Sequence, residues 1–379
     1  MKKCRLVKSM GVIGLAALLL AACGGGGGGG GGANAPGGGT GGGSVSAALL
    51  ELFDLTDLGG GFSAAVAVNN AAPPVTVGFS ADGSQTVKAT TWTIGDGELT
   101  DPVELSPLPG NTYSAAYGIN SAGIAVGESG AEALIGGTPV PDHHSTAVFW
   151  PSAAAIPTAL SVEGLFAGGD SVALAISSSG AMVGEAADNE QGDRVAVYWA
   201  GPGAAPLVLP HLSSAGDADS SAQTISDNGL IAGESRNAAG RLQAVIWRPA
   251  ATGGYAAPVA LTPFIDQAAS SAFAIDPAGN IVGTAEIEGG TLYGVIWNNA
   301  GSVTADLGPN TAALAVNGAG HIAGHSAAQP GDDQATIWNA ADPDDYQVIE
   351  AVFSQAYGIN DRMQVVGMFA GRAIAALPR

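Results

Sequence analysis

Cysteine is nearly missing from this chain: 379 residues contain two, Cys4 and Cys23. With both in the first 23 positions, the body of the protein has no disulfide staple and no thiolate metal site. Cations are scarce too, twelve Lys and Arg against 33 acids, and Lys2, Lys3, Arg5 and Lys8 crowd into the first ten residues. No acid precedes Glu51, so without that leading segment eight cations face 33 acids, a net charge of −25. A surface that negative repels phosphate, which excludes nucleic acid as a partner and resists adsorption to anionic headgroups. Aromatics are only 6% of a chain that is 46% hydrophobic. Ala, Val, Ile and Leu therefore supply the apolar content, which suits small side chains packed between sheets.

The first residues read as an export signal. "MKKCRLVK" is a basic n-region, and "MGVIGLAALLLAA" is an apolar stretch of h-region length, too short to span a bilayer comfortably. Residues 1–22 are expected to be removed. "LAAC" at Leu20 to Cys23 resembles the lipobox of bacterial lipoproteins. That resemblance implies acylation of Cys23, which becomes the first residue and holds the protein to a membrane through lipid; more than one acyl chain makes such an anchor stable. The next residue is Gly24 rather than Asp, which the resemblance links to the outer membrane, with the protein periplasmic or surface-exposed. The alternative is a plain secretory signal with an incidental Cys23. Residues 24 to 32 are nine consecutive glycines, and the bias continues to Ser44. Residues 23–46 are thus read as the lipidated cysteine and a flexible tether spanning on the order of 25 Å. No Gly-Lys-Ser/Thr follows, so this is not a phosphate loop.

Residues 47–379 read as a single repeat-built domain. One opening element recurs seven times, as "AVAVN" at Ala65, "AYGIN" at Ala116, "ALAIS" at Ala173, "AQTIS" at Ala222, "AFAID" at Ala272, "ALAVN" at Ala313 and "AYGIN" at Ala356. The starts are 51, 57, 49, 50, 41 and 43 residues apart, the spacing of four-stranded propeller blades. A second element ends each time in a glycine (Gly78, Gly127, Gly184, Gly233, Gly283, Gly324, Gly367), and a third ends in tryptophan in six copies, using all six tryptophans of the chain. Between the first two elements, "NSAG", "SSSG", "SDNG", "DPAG" and "NGAG" have the residue preferences of a type I turn. "PVELSPL", "PLVLPHL", "PVALTPF" and "SVTADLG" follow the tryptophans as candidate outer strands, where proline is tolerated at an edge. The seventh copy stops at Arg379 without that strand, while "LLELFDLTDLGGG" at Leu49 to Gly61 precedes the first copy in the missing phase. The expectation is an all-β fold: a closed β-propeller of about seven four-stranded blades, the last completed by an N-terminal strand.

These phrases, A-x-x-I-N, I-V-G-x-S, A-x-x-W and "DLGGGFS", resemble the HAF family of probable extracellular repeats over about Leu49 to Ala376. The resemblance implies an exported repeat protein and carries no catalytic residue over. The histidine that names the family is replaced by Thr146, Val195, Gln243, Tyr293 and Gln334 in copies two to six.

Candidate site residues are few. Glu128, Glu185 and Glu234 follow the repeat glycine in three adjacent copies and His325 follows it in the sixth; in a ring they form a polar arc, or else they are solvated strand positions. His321 and His325 share one side of an extended strand about 13 Å apart, too far for one metal. Asp142, His143 and His144 lie in the longest excursion between elements, read first as a solvent-exposed loop, with weak Zn or Cu binding as the alternative. "DNEQGD" at Asp188 and "DPDDY" at Asp342 suggest calcium only through acidity and lack an EF-hand pattern. No triad or paired-carboxylate signature stands out, and no metal or cofactor is expected. The sequence favours a non-enzymatic, monomeric binding scaffold for an unassigned protein or small molecule, ahead of a structural envelope component or a propeller hydrolase. Replacing Cys23 by Ala should move the protein from the membrane pellet to a soluble or unprocessed form. A soluble wild type without acyl mass on Cys23 would reject the anchor.

Overall fold

A computed structural model describes residues 50–95, 101–135, 138–141, 144–190, 192–213, 219–265, 269–287, 290–328, 332–350 and 354–379. The leader, Cys23, the tether, Asp142 and His143 lie outside these. The described residues contain strands and no helix, arranged as seven four-stranded antiparallel sheets plus one short hairpin. From centre to rim, blade 1 is Gly59–Val68, Val75–Asp82, Val87–Thr93 and Val103–Leu105. Blade 2 is Tyr113–Ile119, Ala125–Gly130, Thr146–Trp150 and Thr158–Ala159, with the hairpin Glu132–Ile135 and Thr138–Pro141 inserted before its third strand. Blade 3 is Ser171–Ile176, Met182–Ala187, Arg194–Trp199 and Pro206–Val208, and blade 4 is Ser220–Ile225, Ile231–Arg236, Leu242–Trp247 and Val259–Ala260. Blade 5 is Ala269–Ile275, Ile281–Glu286, Leu292–Trp297 and Val303–Pro309, and blade 6 is Thr311–Val316, His321–Ser326, Gln334–Asn339 and Asp342–Glu350. Blade 7 is Ser354–Ile359, Val365–Phe369 and Arg372–Pro378, with Leu50–Asp54 outermost. First strands neighbour one another around the whole circle, so the molecule is a closed seven-bladed β-propeller.

The repeat glycines mark a close approach. In every blade the register slips by one residue just after the repeat alanine, for example between Ala173 and Ala175. This bulge presses the first strand onto the second at the glycine. A Cβ on Gly184 would lie 1.9 Å from the Val172 carbonyl oxygen, and the other six glycines meet the equivalent oxygen at 1.9 to 2.0 Å. The second strands continue past the glycine rather than ending there, as Met182–Ala187 shows. The turns match their sequence signature: Asn120 Oδ1 accepts from the amides of Ala122 and Ile124, and Gly123 donates to the Asn120 carbonyl with φ of 80°. In the seventh copy Met363 takes that left-handed conformation, φ 59°, where a side chain costs about 1–2 kcal/mol.

Seams between blades are hydrogen-bonded in two repeating ways. The Trp Nε1 of one blade donates to a carbonyl just beyond the outer strand of the preceding blade: Trp150 to Ser106, Trp199 to Ser161, Trp247 to Pro210, Trp297 to Thr262 and Trp92 to Thr56. Two residues before each repeat alanine stands Ser63, Ser114, Ser171, Ser220, Ser270, Thr311 or Ser354. Its hydroxyl oxygen accepts a third-strand amide of the preceding blade at 2.8 to 3.0 Å at all seven seams.

Closure uses both ends of the domain. Leu50–Asp54 pairs antiparallel with Arg372–Pro378, Leu50 opposite Pro378 and Asp54 opposite Ile374. Leu55 is 2% exposed and packs with Trp92, Ile94, Ala373 and Ala375, with Phe53 partly buried alongside. A chain beginning at Gly59 would lose this strand, Leu55 and the carbonyl that Trp92 uses. At about 1.5–3 kcal/mol per buried large side chain, it should melt lower by about 10 °C or aggregate. A chain beginning at Val45 should melt like the full protein, and equal melting of the two truncations would contradict this account of closure.

Candidate functional site

The residue after each repeat glycine is Phe79, Glu128, Glu185, Glu234, Thr284, His325 or Met368 in blade order. Period-two alternation puts it on the same blade face as the residue before the glycine, and that face packs on the next blade. Val126 of blade 2 packs with Ala173 and Met182 of blade 3, and Ala232 of blade 4 packs with Ala272 of blade 5. The sequence candidates are therefore wedged into seams. Glu185 and Glu234 are each 1% exposed, which corrects the alternative of solvated strand positions. A blade has neighbours on both faces, so strand alternation there does not separate core from solvent.

Each seam engages its polar group differently. Glu128 is half-buried, and its Oε1 accepts from Tyr113 Oη at 2.9 Å and Tyr117 Oη at 2.6 Å. Burial first, then the Glu128 charge and Tyr113, hold the Tyr117 hydroxyl well above the usual phenol range. Glu185 Oε1 takes a hydrogen bond and ion pair from Arg194 Nη1, whose Nη2 lies 3.9 Å from Asp170 Oδ2. Glu185 first, opposed by desolvation and then aided by Asp170 and Glu128, raises the Arg194 guanidinium. Glu234 Oε2 accepts from Ser271 Oγ across the seam to blade 5, and Arg236 pairs with Asp219 nearby. Burial pushes Glu234 up to about 7, against the Ser271 hydrogen bond and the Arg236 charge and with the Glu185 and Asp219 charges. His325 Nε2 is 4.0 Å from Asp333, which also accepts from Gln355, and burial lowers the imidazole.

Glu128, Glu185 and Glu234 thus form one electrostatically coupled arc over blades 2 to 4, while Thr284 separates His325 from it. His321 sits at the turn end of its strand, 3.4 Å from Asn317 Nδ2, and His325 lies beside Asp333 at the other end; the two do not converge. Asp342 to Tyr346 belong to the outer strand of blade 6, with Tyr346 opposite Trp338. In the acidic stretch at Asp188, the Asp188 amide donates to the Asp193 carbonyl. Among the described residues no group of three His, Cys, Asp or Glu is arranged for a metal.

Sequence reading missed the partners of the arc: Tyr113, Tyr117, Arg194, Asp170, Asp219, Arg236 and Ser271. Tyr117 carries a detectable signal, since it is the bulged residue after the repeat alanine. Its counterparts are Val66, Leu174, Gln223, Phe273, Leu314 and Tyr357. All seven are partly exposed and belong to the innermost strands, those nearest the ring axis.

No family model matches the chain, and no curated protein matches it. Several solved structures are similar at low identity. A lectin, BP39L from Burkholderia pseudomallei, is 14% identical with a TM-score of 0.45, covering 83% of this chain and 95% of that one. A streptogramin B lyase is 11% identical with a TM-score of 0.48, covering 87% and 97%. Prolyl oligopeptidase B from Galerina marginata is 9% identical with a TM-score of 0.49, covering 73% of this chain and 40% of that one.

Glu234 makes stability depend on pH. Its folded pKa, about 7, exceeds the unfolded value, so between about 4.3 and 7 the folded state holds more protons and this residue's effect on stability worsens as pH rises. The loss is on the order of 3 kcal/mol, complete above about pH 7. Glu234→Gln should remove it, so the stability gap between variant and wild type in urea melts should widen from pH 5 to pH 8. A gap independent of pH would show that Glu234 titrates normally.

Proposed function

We propose that this protein is a non-enzymatic binding scaffold whose ligand enters the central channel, carried to the outer membrane by the lipid on Cys23. The carrying observation is the uneven chemistry of one repeated position. Phe79 and Met368 fill it with apolar side chains in blades 1 and 7, so the fold does not require an ion there. Buried charge is costly unless paired, yet blades 2 to 4 place three carboxylates at this position. Local departures from the best packing are expected where a ligand is recognised. The same groups are engaged with Tyr, Arg and Ser partners rather than arranged as a nucleophile with its base, which supports binding over turnover.

A thermal-shift screen of the purified protein against a chemically broad small-molecule library tests this. Saturable stabilisation by one ligand class is expected, with no turnover in a hydrolase panel. Turnover abolished by changing a single acid or histidine would replace the scaffold with a hydrolase, and a screen without any binder would leave a structural envelope role.

A further inference from the structure

Glu128 differs from the other two acids of the arc. Tyr113 and Tyr117 both donate to its Oε1, and among the described residues no hydrogen bond reaches Oε2 of this half-buried residue. Two phenols thus fix the orientation of a carboxylate and leave one oxygen open to solvent. One of those phenols belongs to the bulged residue of the channel wall. In the next blade, Glu185 is 1% exposed and its Oε2 is buried with no hydrogen-bond partner. An unmet buried acceptor of that kind is costly in a sealed core. The Arg194 charge feels both Glu185 and Glu128. The cations here are already committed, Arg194 to Glu185 and Asp170 and Arg236 to Asp219.

On the other side of Tyr117 the wall is apolar. Tyr117, Val66 and Tyr357, the bulged residues of blades 2, 1 and 7, pack on a single cluster built from Ala64, Phe79, Ala115 and Met368. The channel therefore offers aromatic faces and aliphatic surface beside an oriented carboxylate with surplus negative charge. Aromatic faces and carboxylates both attract organic cations and disfavour anions.

Resting on the scaffold reading above, we propose that the channel binds an organic cation, an amine or guanidinium on an apolar body. The cationic group donates to Glu128 Oε2, and the body lies against Tyr117, Val66 and Tyr357.

Isothermal titration of the full chain with phenethylamine, phenethyl alcohol and hydrocinnamate separates the possibilities, because the three share a body and differ in charge. Saturable binding of the amine alone is expected. Glu128→Gln should weaken it about tenfold or more, and Tyr117→Phe, which leaves the ring and removes the hydroxyl that orients the carboxylate, about threefold. Melting curves confirm that both variants fold; should Glu128→Gln not fold, Tyr117→Phe alone decides. Equal binding of the alcohol or the acid, or amine binding untouched by these substitutions, overturns the cation site while leaving a channel scaffold intact. Failure of all three probes overturns the site as drawn, and the library screen then decides separately whether the scaffold reading survives.

Discussion

One hydrogen bond, repeated seven times, holds the ring in register. A first-strand Ser or Thr hydroxyl accepts a third-strand amide from the blade before it. Blade packing through Ala, Val and Ile is non-directional and would let neighbouring sheets slide. The hydroxyl bond ties a fixed residue of one blade to a fixed residue of the next. At about 1 kcal/mol each these bonds add modestly to stability, and what they supply is alignment. The Trp Nε1 bonds do the same nearer the rim. Once blades cannot slip, residues at one repeat phase face each other across every seam, and the arc of Glu128, Glu185 and Glu234 becomes a coupled group.

The glycine opposite each bulge links this framework to the channel. With no side chain at Gly127, the strand carrying Ala116 and Tyr117 can press against its partner and rotate the extra residue out of the ladder. Fold and candidate site therefore share a cause: the feature that requires glycine on one strand takes a side chain of the innermost strand out of the ladder. Val66, Tyr117 and Tyr357 share one apolar cluster, while the acids one residue beyond the glycines lie in the seams, Glu185 and Glu234 buried there and Glu128 bonded to Tyr117.

Much of the architecture was legible because it repeats. Seven alanines in phase, six tryptophans in one phase and an unfinished last copy led to blade number and ring closure, and Leu50–Asp54 pairs where that argument placed it. The seam serines escaped because serine is common in loops as well; only alignment two residues before each repeat alanine exposes the column. The burial of Glu185 and Glu234 escaped for a geometric reason. Acids on one face of a strand ordinarily signal solvent, but a blade is covered on both faces. "DPDDY" suggested calcium only through its acidity; it lies in an outermost strand, which has one side without a partner and accommodates Pro343 and its aspartates.

The clasp between Leu50–Asp54 and Arg372–Pro378 sets how freely such a ring can change size. The entropy of bringing chain ends together grows only with the logarithm of the intervening length. Adding one more copy of about fifty residues would raise that cost by about 0.1 kcal/mol, far less than one seam bond contributes. Chain length thus places almost no limit on blade number. The limit is angular: each seam fixes the rotation from one sheet to the next, and seven such rotations return the chain to its own starting edge. A substitution that opened or narrowed the seam angle slightly would act as a change of circumference, felt first at the clasp, the one place where the outer two strands of a blade come from opposite ends of the domain.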